Sequence, residues 1–187
     1  MSAMRYGVWF LLGLLGVLVA IPVGMTLVGL FLPREFTATR SVALPVPPEE
    51  VFALIADVPG QTAWRKGLER IERADQVDSA GRGEIAHEAW REVYQGGRSM
   101  TLETTTSDPP HRLVRTIVAA EGPFRGAWEY TVTAAANGGS QLTVVERGEI
   151  RSPLVRFASR YMFGREAYLD LYLGEVRARL GGVPPAP

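Results

Sequence analysis

The sequence predicts an α+β domain carried behind a single membrane-crossing helix, and three observations predict it. An uncharged run fills the chain from Tyr6 to Leu32, turn-forming residues then cut it into short strand-like pieces, and a periodic apolar pattern closes it. With 187 residues there is room for one ordinary domain plus a short extension. Hydrophobic residues make up 47% and charged residues 21%, the balance of a globular chain rather than a disordered one.

The N-terminal run sets the first boundaries. Residues 1–5 form a tail whose one charge is Arg5, residues 6–32 a transmembrane helix, and residues 33–36 a short linker. As a helix, a run of this length reaches roughly 40 Å, against a hydrocarbon core of roughly 30 Å. Tyr6 and Trp9 suit one interface, Phe31 and Phe36 the other, and Pro22 is compatible with a span. A cleaved signal peptide is the competing reading, but the run is too long for an ordinary signal core and no A-x-A-like site follows it. Arg5 on one side and Arg34 and Arg40 on the other do not decide the orientation. Gly13, Gly16, Ala20 and Gly24 fall three or four apart, a ridge that would allow self-association, although glycine is also ordinary in membrane helices.

Residues 37–181 are expected to form the folded domain, with a Pro-rich tail at 182–187. Thr37–Leu44 mixes β-branched and small residues as a first strand, stopped by Pro45, Pro47 and Pro48. Glu49 and Glu50 then occupy the first turn of a helix whose apolar face is Val51, Phe52, Leu54 and Ile55. Pro59-Gly60 breaks it, and QTAWRKGL is a second short helix or turn. Strands follow at Leu68–Ala74, Glu84–Tyr94, Arg98–Thr106, Arg112–Ala120, Phe124–Ala135 and Gln141–Ile150, separated by Gly, Pro and Asn turns of which Asn137-Gly138-Gly139 is the strongest. Ser152 as N-cap and Pro153 at the first helical position open a last helix. Leu154, Phe157, Tyr161, Gly164, Tyr168, Leu171, Tyr172 and Val176 recur along it at three- and four-residue steps, until Gly181-Gly182 ends it.

This order resembles the helix-grip superfamily, which includes START lipid-transfer domains, birch-pollen-allergen-like proteins and the bacterial polyketide cyclase/dehydrase branch of the SRPBCC proteins. The stretches that carry the resemblance are SVALPVPPEEVFALIADV, Trp64 in the second short helix, the DPPHRL turn, GAWEYTV followed by NGGSQLTVVERGEI, and the closing amphipathic helix. It spans roughly Thr37–Leu180 and leaves the membrane helix outside. The resemblance implies a curved antiparallel sheet wrapped around a long C-terminal helix, two short helices after the first strand, and an apolar cavity between sheet and helix. Fold alone does not fix function.

Alternation nominates the residues that would line such a cavity. Trp128, Tyr130 and Val132 share one face of their strand, and Leu142, Val144 and Glu146 one face of the next. Glu146 follows Leu142 and Val144 inward, as a solvated or arginine-paired group near the strand end or as a polar anchor or acid/base group. His87 is the other weak catalytic candidate, in a strand whose two faces are both mixed. Met100, Trp128, Tyr130, Val144, Glu146, Phe157, Tyr161, Gly164 and Tyr168 are the expected lining, with Gly164 leaving room for a ligand or admitting a kink.

Composition narrows the chemistry. Acidic and basic residues number 20 each, which gives no electrostatic footprint for nucleic acid. Without cysteine there are no disulfides and no thiolate chemistry, and His87 and His111 fit no metal-ligand spacing. No nucleophile elbow, P-loop or Rossmann pattern is present, so no cofactor is expected. The expected partners are the lipid bilayer and a hydrophobic small molecule or lipid. A cyclase/dehydratase-like enzyme, and a structural membrane protein without a ligand, are the alternatives.

Overall fold

The computed structural model describes residues 2–74, 89–120, 124–136, 138–164 and 166–181. His87 lies outside the described residues. The chain forms two compact units, Met1–Arg34 with Ile150–Gly164, and Glu35–Glu149 with Arg165–Pro187.

The larger unit is built on a seven-stranded sheet in the order β1-β7-β6-β5-β4-β3-β2. Its strands are β1 (Glu35–Leu44), β2 (Leu68–Arg73), β3 (Ala89–Tyr94), β4 (Ser99–Asp108), β5 (Arg112–Ala120), β6 (Phe124–Ala134) and β7 (Ser140–Ile150). β1 begins two residues earlier than the linker at 33–36 allowed, because Glu35 and Phe36 already pair with Glu149 and Gly148 of β7. Phe36 is therefore a sheet residue, its ring over Gly148, where a side chain would collide with it.

Between β1 and β2 lie a short α-helix, α1 (Pro48–Ala56), and a 3-10 turn at Pro59–Ala63. Val51, Phe52 and Ile55 bury the inward face of α1, as its apolar pattern predicts. A second helix of this unit, α2 (Ala167–Arg179), buries Leu169, Tyr172, Leu173 and Val176. Against them stand Ala38, Val42, Leu113, Ile117, Trp128, Tyr130, Val132, Leu142 and Val144 from the sheet. In β5 the sequence offers either Val114 and Val118 or Leu113 and Ile117 as the inner face, and the strand turns Leu113, Arg115 and Ile117 inward.

In the smaller unit a long apolar helix, α3 (Ser2–Leu30), runs unbroken through Pro22. Trp9–Leu30 within it is 22 residues long and reaches a mean hydropathy of 2.5 over 18 of them, long and apolar enough to cross a membrane. Gly13, Gly16 and Gly24 meet no neighbour, whereas Gly29 is in close contact with Pro153. Pro153 opens α4 (Pro153–Ala158), capped by Ser152, whose hydroxyl accepts from the Val155 amide. A five-residue π-helical stretch, Ser159–Phe163, continues it.

One continuous closing helix was expected from Ser152 to Leu180, and the chain instead breaks at Gly164. That residue takes φ +79°, a left-handed conformation open to glycine, so the helix cannot pass through it. The break has a consequence for the aromatic stripe. Phe157 and Tyr161 pack on each other in the smaller unit, with ring centroids 5.0 Å apart, while Tyr168 and Tyr172 enter the larger unit's core.

Candidate functional site

The inward face of the sheet carries two carboxylates in contrasting surroundings. Glu92 of β3 is 1% exposed. Its Oε1 accepts from Arg65 Nη1 at 2.7 Å and from the Trp90 indole at 3.3 Å, and its other oxygen accepts from the Tyr94 hydroxyl. Arg65 follows the 3-10 turn and gives its remaining donors to the buried Gln61 side chain at 2.6 Å, to Tyr94 at 2.9 Å and to Tyr168 at 3.3 Å. Its guanidinium also lies over the rings of Tyr94 and Tyr172, 5.8 Å from each centroid. Burial alone would raise the Glu92 pKa; the charge and hydrogen bond of Arg65 outweigh it, and the net shift is downward. Glu92 is thus an ionised, fully partnered core group.

Glu146 is the opposite case. It faces inward from β7 beside Ala38 of β1, with which it is paired. Counting from the Ala135–Gly139 hairpin closure sets it across from Trp128 of β6, in step with the contact between Gly126 and Gly148. Among the described residues no basic side chain forms an ion pair with it. Burial pushes its pKa up to about 7, and the nearby Trp128 indole only partly opposes that. The indole does not close a full hydrogen bond: Trp128 Nε1 is buried without a partner. A carboxyl in this setting is half protonated near neutral pH, able to donate or accept a proton.

Two further buried donors share this interior. Arg115, 2% exposed, gives Nη2 to the Ile55 carbonyl at 2.6 Å and lies 5.0 Å from the Trp90 ring centroid, but its Nε has no partner. Tyr172, 3% exposed, closes no full hydrogen bond through its hydroxyl, although Tyr130 lies near it. Aromatic contacts knit these groups together, Trp128 to Tyr168 and Tyr130 to Tyr172 both at 5.7 Å between centroids. Leaving a buried donor unmade costs about 1–3 kcal/mol, so several of them among the side chains of the sheet and α2 call for an explanation.

Two open grooves reach the surface of this unit. One of about 330 Å³ runs over the start of β1 and the facing ends of β6 and β7, lined by Phe36, Gly126 and Gly148 among others. Another of about 470 Å³ lies along the outer side of α2, between Trp64, Lys66, Leu171 and Glu175.

Of the expected lining, Trp128, Tyr130 and Val144 are buried on the inward face, Met100 and Tyr168 pack against the core, and Glu146 is half-buried. Phe157, Tyr161 and Gly164 belong to the smaller unit, where Tyr161 is 60% exposed. Sequence reasoning missed Arg65, Glu92 and Arg115. The signal for two of them was present, since Trp90-x-Glu92-x-Tyr94 and Leu113-x-Arg115-x-Ile117 each place the charge on the face of its bulky neighbours.

The fold has solved counterparts. The Zhui aromatase/cyclase from Streptomyces sp. R1128 superposes with a TM-score of 0.57 at 16% identity, over 80% of this chain and 99% of that one. A START superfamily protein from Mycobacterium smegmatis gives 0.58 at 12% identity, over 78% and 97%. A protein from Thermus thermophilus gives 0.56 at 21% identity, over 78% and 96%. These likenesses establish the helix-grip fold. Comparison with curated proteins finds no match. The model of the family described as polyketide cyclase/dehydrase and lipid transport matches residues 35–178, almost the whole of the sheet and α2, and the chain belongs to that family.

Proposed function

We propose that this protein is a membrane-anchored binding protein that holds a lipid or other amphipathic small molecule against the concave face of its sheet. The observation that carries the reading is the set of buried donors without partners, Trp128 Nε1, Arg115 Nε and Tyr172 Oη, among aromatic rings. An apolar body with one or two acceptor oxygens would satisfy both the rings and the donors. The family's description, which includes lipid transport, agrees with that ligand class.

The anchor fits the same reading. β1 begins at Glu35, five residues after α3 ends at Leu30, so the groove lined by Phe36, Gly126 and Gly148 is tied closely in sequence to the apolar helix. A tether of this length favours exchange of ligand with a bilayer.

Glu146 supports a second reading, an enzyme of the cyclase or dehydratase kind in which this carboxyl supplies a proton. Its pKa near 7 is suited to that task.

The test is to purify the full chain, wash it, extract it with organic solvent and analyse the extract by mass spectrometry beside a denatured control. The binding reading expects an enriched amphipathic species that is depleted in Trp128→Phe and Tyr172→Phe. Equal extracts from all samples would refute it. A recovered species that is converted by the wild type but not by Glu146→Gln would move the assignment to the enzyme.

A further inference from the structure

The smaller unit has a surface that the ligand-binding reading does not use. It carries Arg5, Arg34, Arg151, Arg156 and Arg160 and no acidic residue. Its α4 and the π-helical stretch after it are fastened to the C-terminal end of α3. Gly29 lets the Pro153 backbone into close contact with α3, and the buried Arg156 donates from Nη1 to the Leu32 carbonyl at 2.9 Å. The Ile150 amide adds a bond to the Arg34 carbonyl at 2.8 Å. The segment is therefore held at one height, the height at which the apolar helix stops.

At that height it exposes three consecutive large apolar residues, Tyr161 at 60%, Met162 at 62% and Phe163 at 69%. Phe31, just past the end of α3, is 91% exposed. A water-facing helix rarely presents such a run. Arg160 and Arg34 are exposed in the same unit, and Arg160 lies 5.9 Å from the Tyr161 ring centroid. Aromatic and apolar side chains together with arginines, and without acids, match the boundary between acyl chains and anionic headgroups.

We propose that Tyr161–Phe163 is a second membrane contact, a wedge that sits in the headgroup–acyl boundary where α3 leaves the bilayer. It would hold the domain to the lipid surface at two points instead of one tether. This inference rests on the reading of α3 as a membrane anchor, and the experiment separates the two.

The chain has no native cysteine, so single cysteines can be introduced as Val17→Cys in α3, Tyr161→Cys and Phe163→Cys in the wedge, and Thr133→Cys on the exposed sheet surface. Each full-length variant is labelled with an environment-sensitive fluorophore and reconstituted in vesicles of phosphatidylcholine and phosphatidylglycerol. Quenching is then read from water with iodide, and from the membrane with lipids carrying a shallow nitroxide. The wedge positions are expected to be several-fold less sensitive to iodide than position 133 and to be quenched by the shallow nitroxide, with position 17 shielded from iodide. If position 17 is shielded while 161 and 163 respond to iodide like 133, the wedge is overturned and the anchor stands. Protection from iodide without nitroxide quenching would mean that protein covers the face, including a second copy of the chain, and would also overturn it. Iodide quenching at position 17 would overturn anchor and wedge together.

Discussion

Glu92 and Glu146 stand on the inward face of one sheet and have opposite fates. Glu92 is surrounded by Arg65, Trp90 and Tyr94 and is held ionised. Glu146 has Ala38 beside it and an unpaired indole across from it, and is held near half protonation. The Glu92 carboxylate is closed off by its own neighbours; Glu146, with the Trp128 indole across from it, leaves polar capacity unused. Under the proposed binding function, a ligand would gain more beside Glu146 than beside Glu92, because it gains only where the protein has not already satisfied itself.

Breaking the Glu92 side should have the largest effect. Arg65→Met or Glu92→Leu alone strands a buried charge and is expected to cost about 3–5 kcal/mol in urea unfolding. The double variant should lose clearly less than the two single losses combined, since no uncompensated charge remains. Additive losses would show that the pair is not coupled as described.

On the β7 side the effect should depend on pH. The folded pKa of Glu146, about 7, lies above the ordinary value of 4.5. The folded state therefore binds more protons than the unfolded state between those values, and stability falls as pH rises through that window. Glu146→Gln should leave stability almost unchanged at low pH and raise it relative to wild type above neutrality, by at most about 3 kcal/mol. A wild type and variant with parallel stability–pH curves would contradict the assignment.

Smaller effects sharpen the contrast. Tyr172→Phe removes an unpartnered hydroxyl, so without ligand it should be within about 1 kcal/mol of wild type. On the outward face, Arg112 and Arg147 hydrogen-bond Glu129 and lower its pKa. Glu129→Gln should nonetheless cost less than about 1 kcal/mol, and less still at high salt, because the pair is near solvent.

The sequence made the fold legible and the site only in part. Turn residues such as Pro59-Gly60 and Asn137-Gly138-Gly139 act locally, so the order of elements could be read from them. Trp128, Tyr130, Leu142 and Val144 showed their face by strict alternation. Arg65 could not be found this way, because it leaves a 3-10 turn rather than a strand, and only the folded chain brings it to Glu92 and Tyr168. The break at Gly164 was hidden for a related reason. Helical spacing continues across it in the sequence, whereas the positive φ that interrupts the helix is a property of the backbone.

The contrast between the two carboxylates is tested most directly by carbon-13 detection of the glutamate carboxyls in the full chain in detergent micelles. The titration is run alone and again with a monoacylglycerol as amphipathic probe. A midpoint near pH 7 is expected for Glu146, displaced by the probe, and for Glu92 a midpoint below the ordinary carboxylate range that the probe leaves in place. Ordinary midpoints for both groups, or a probe response at Glu92 and none at Glu146, would contradict it.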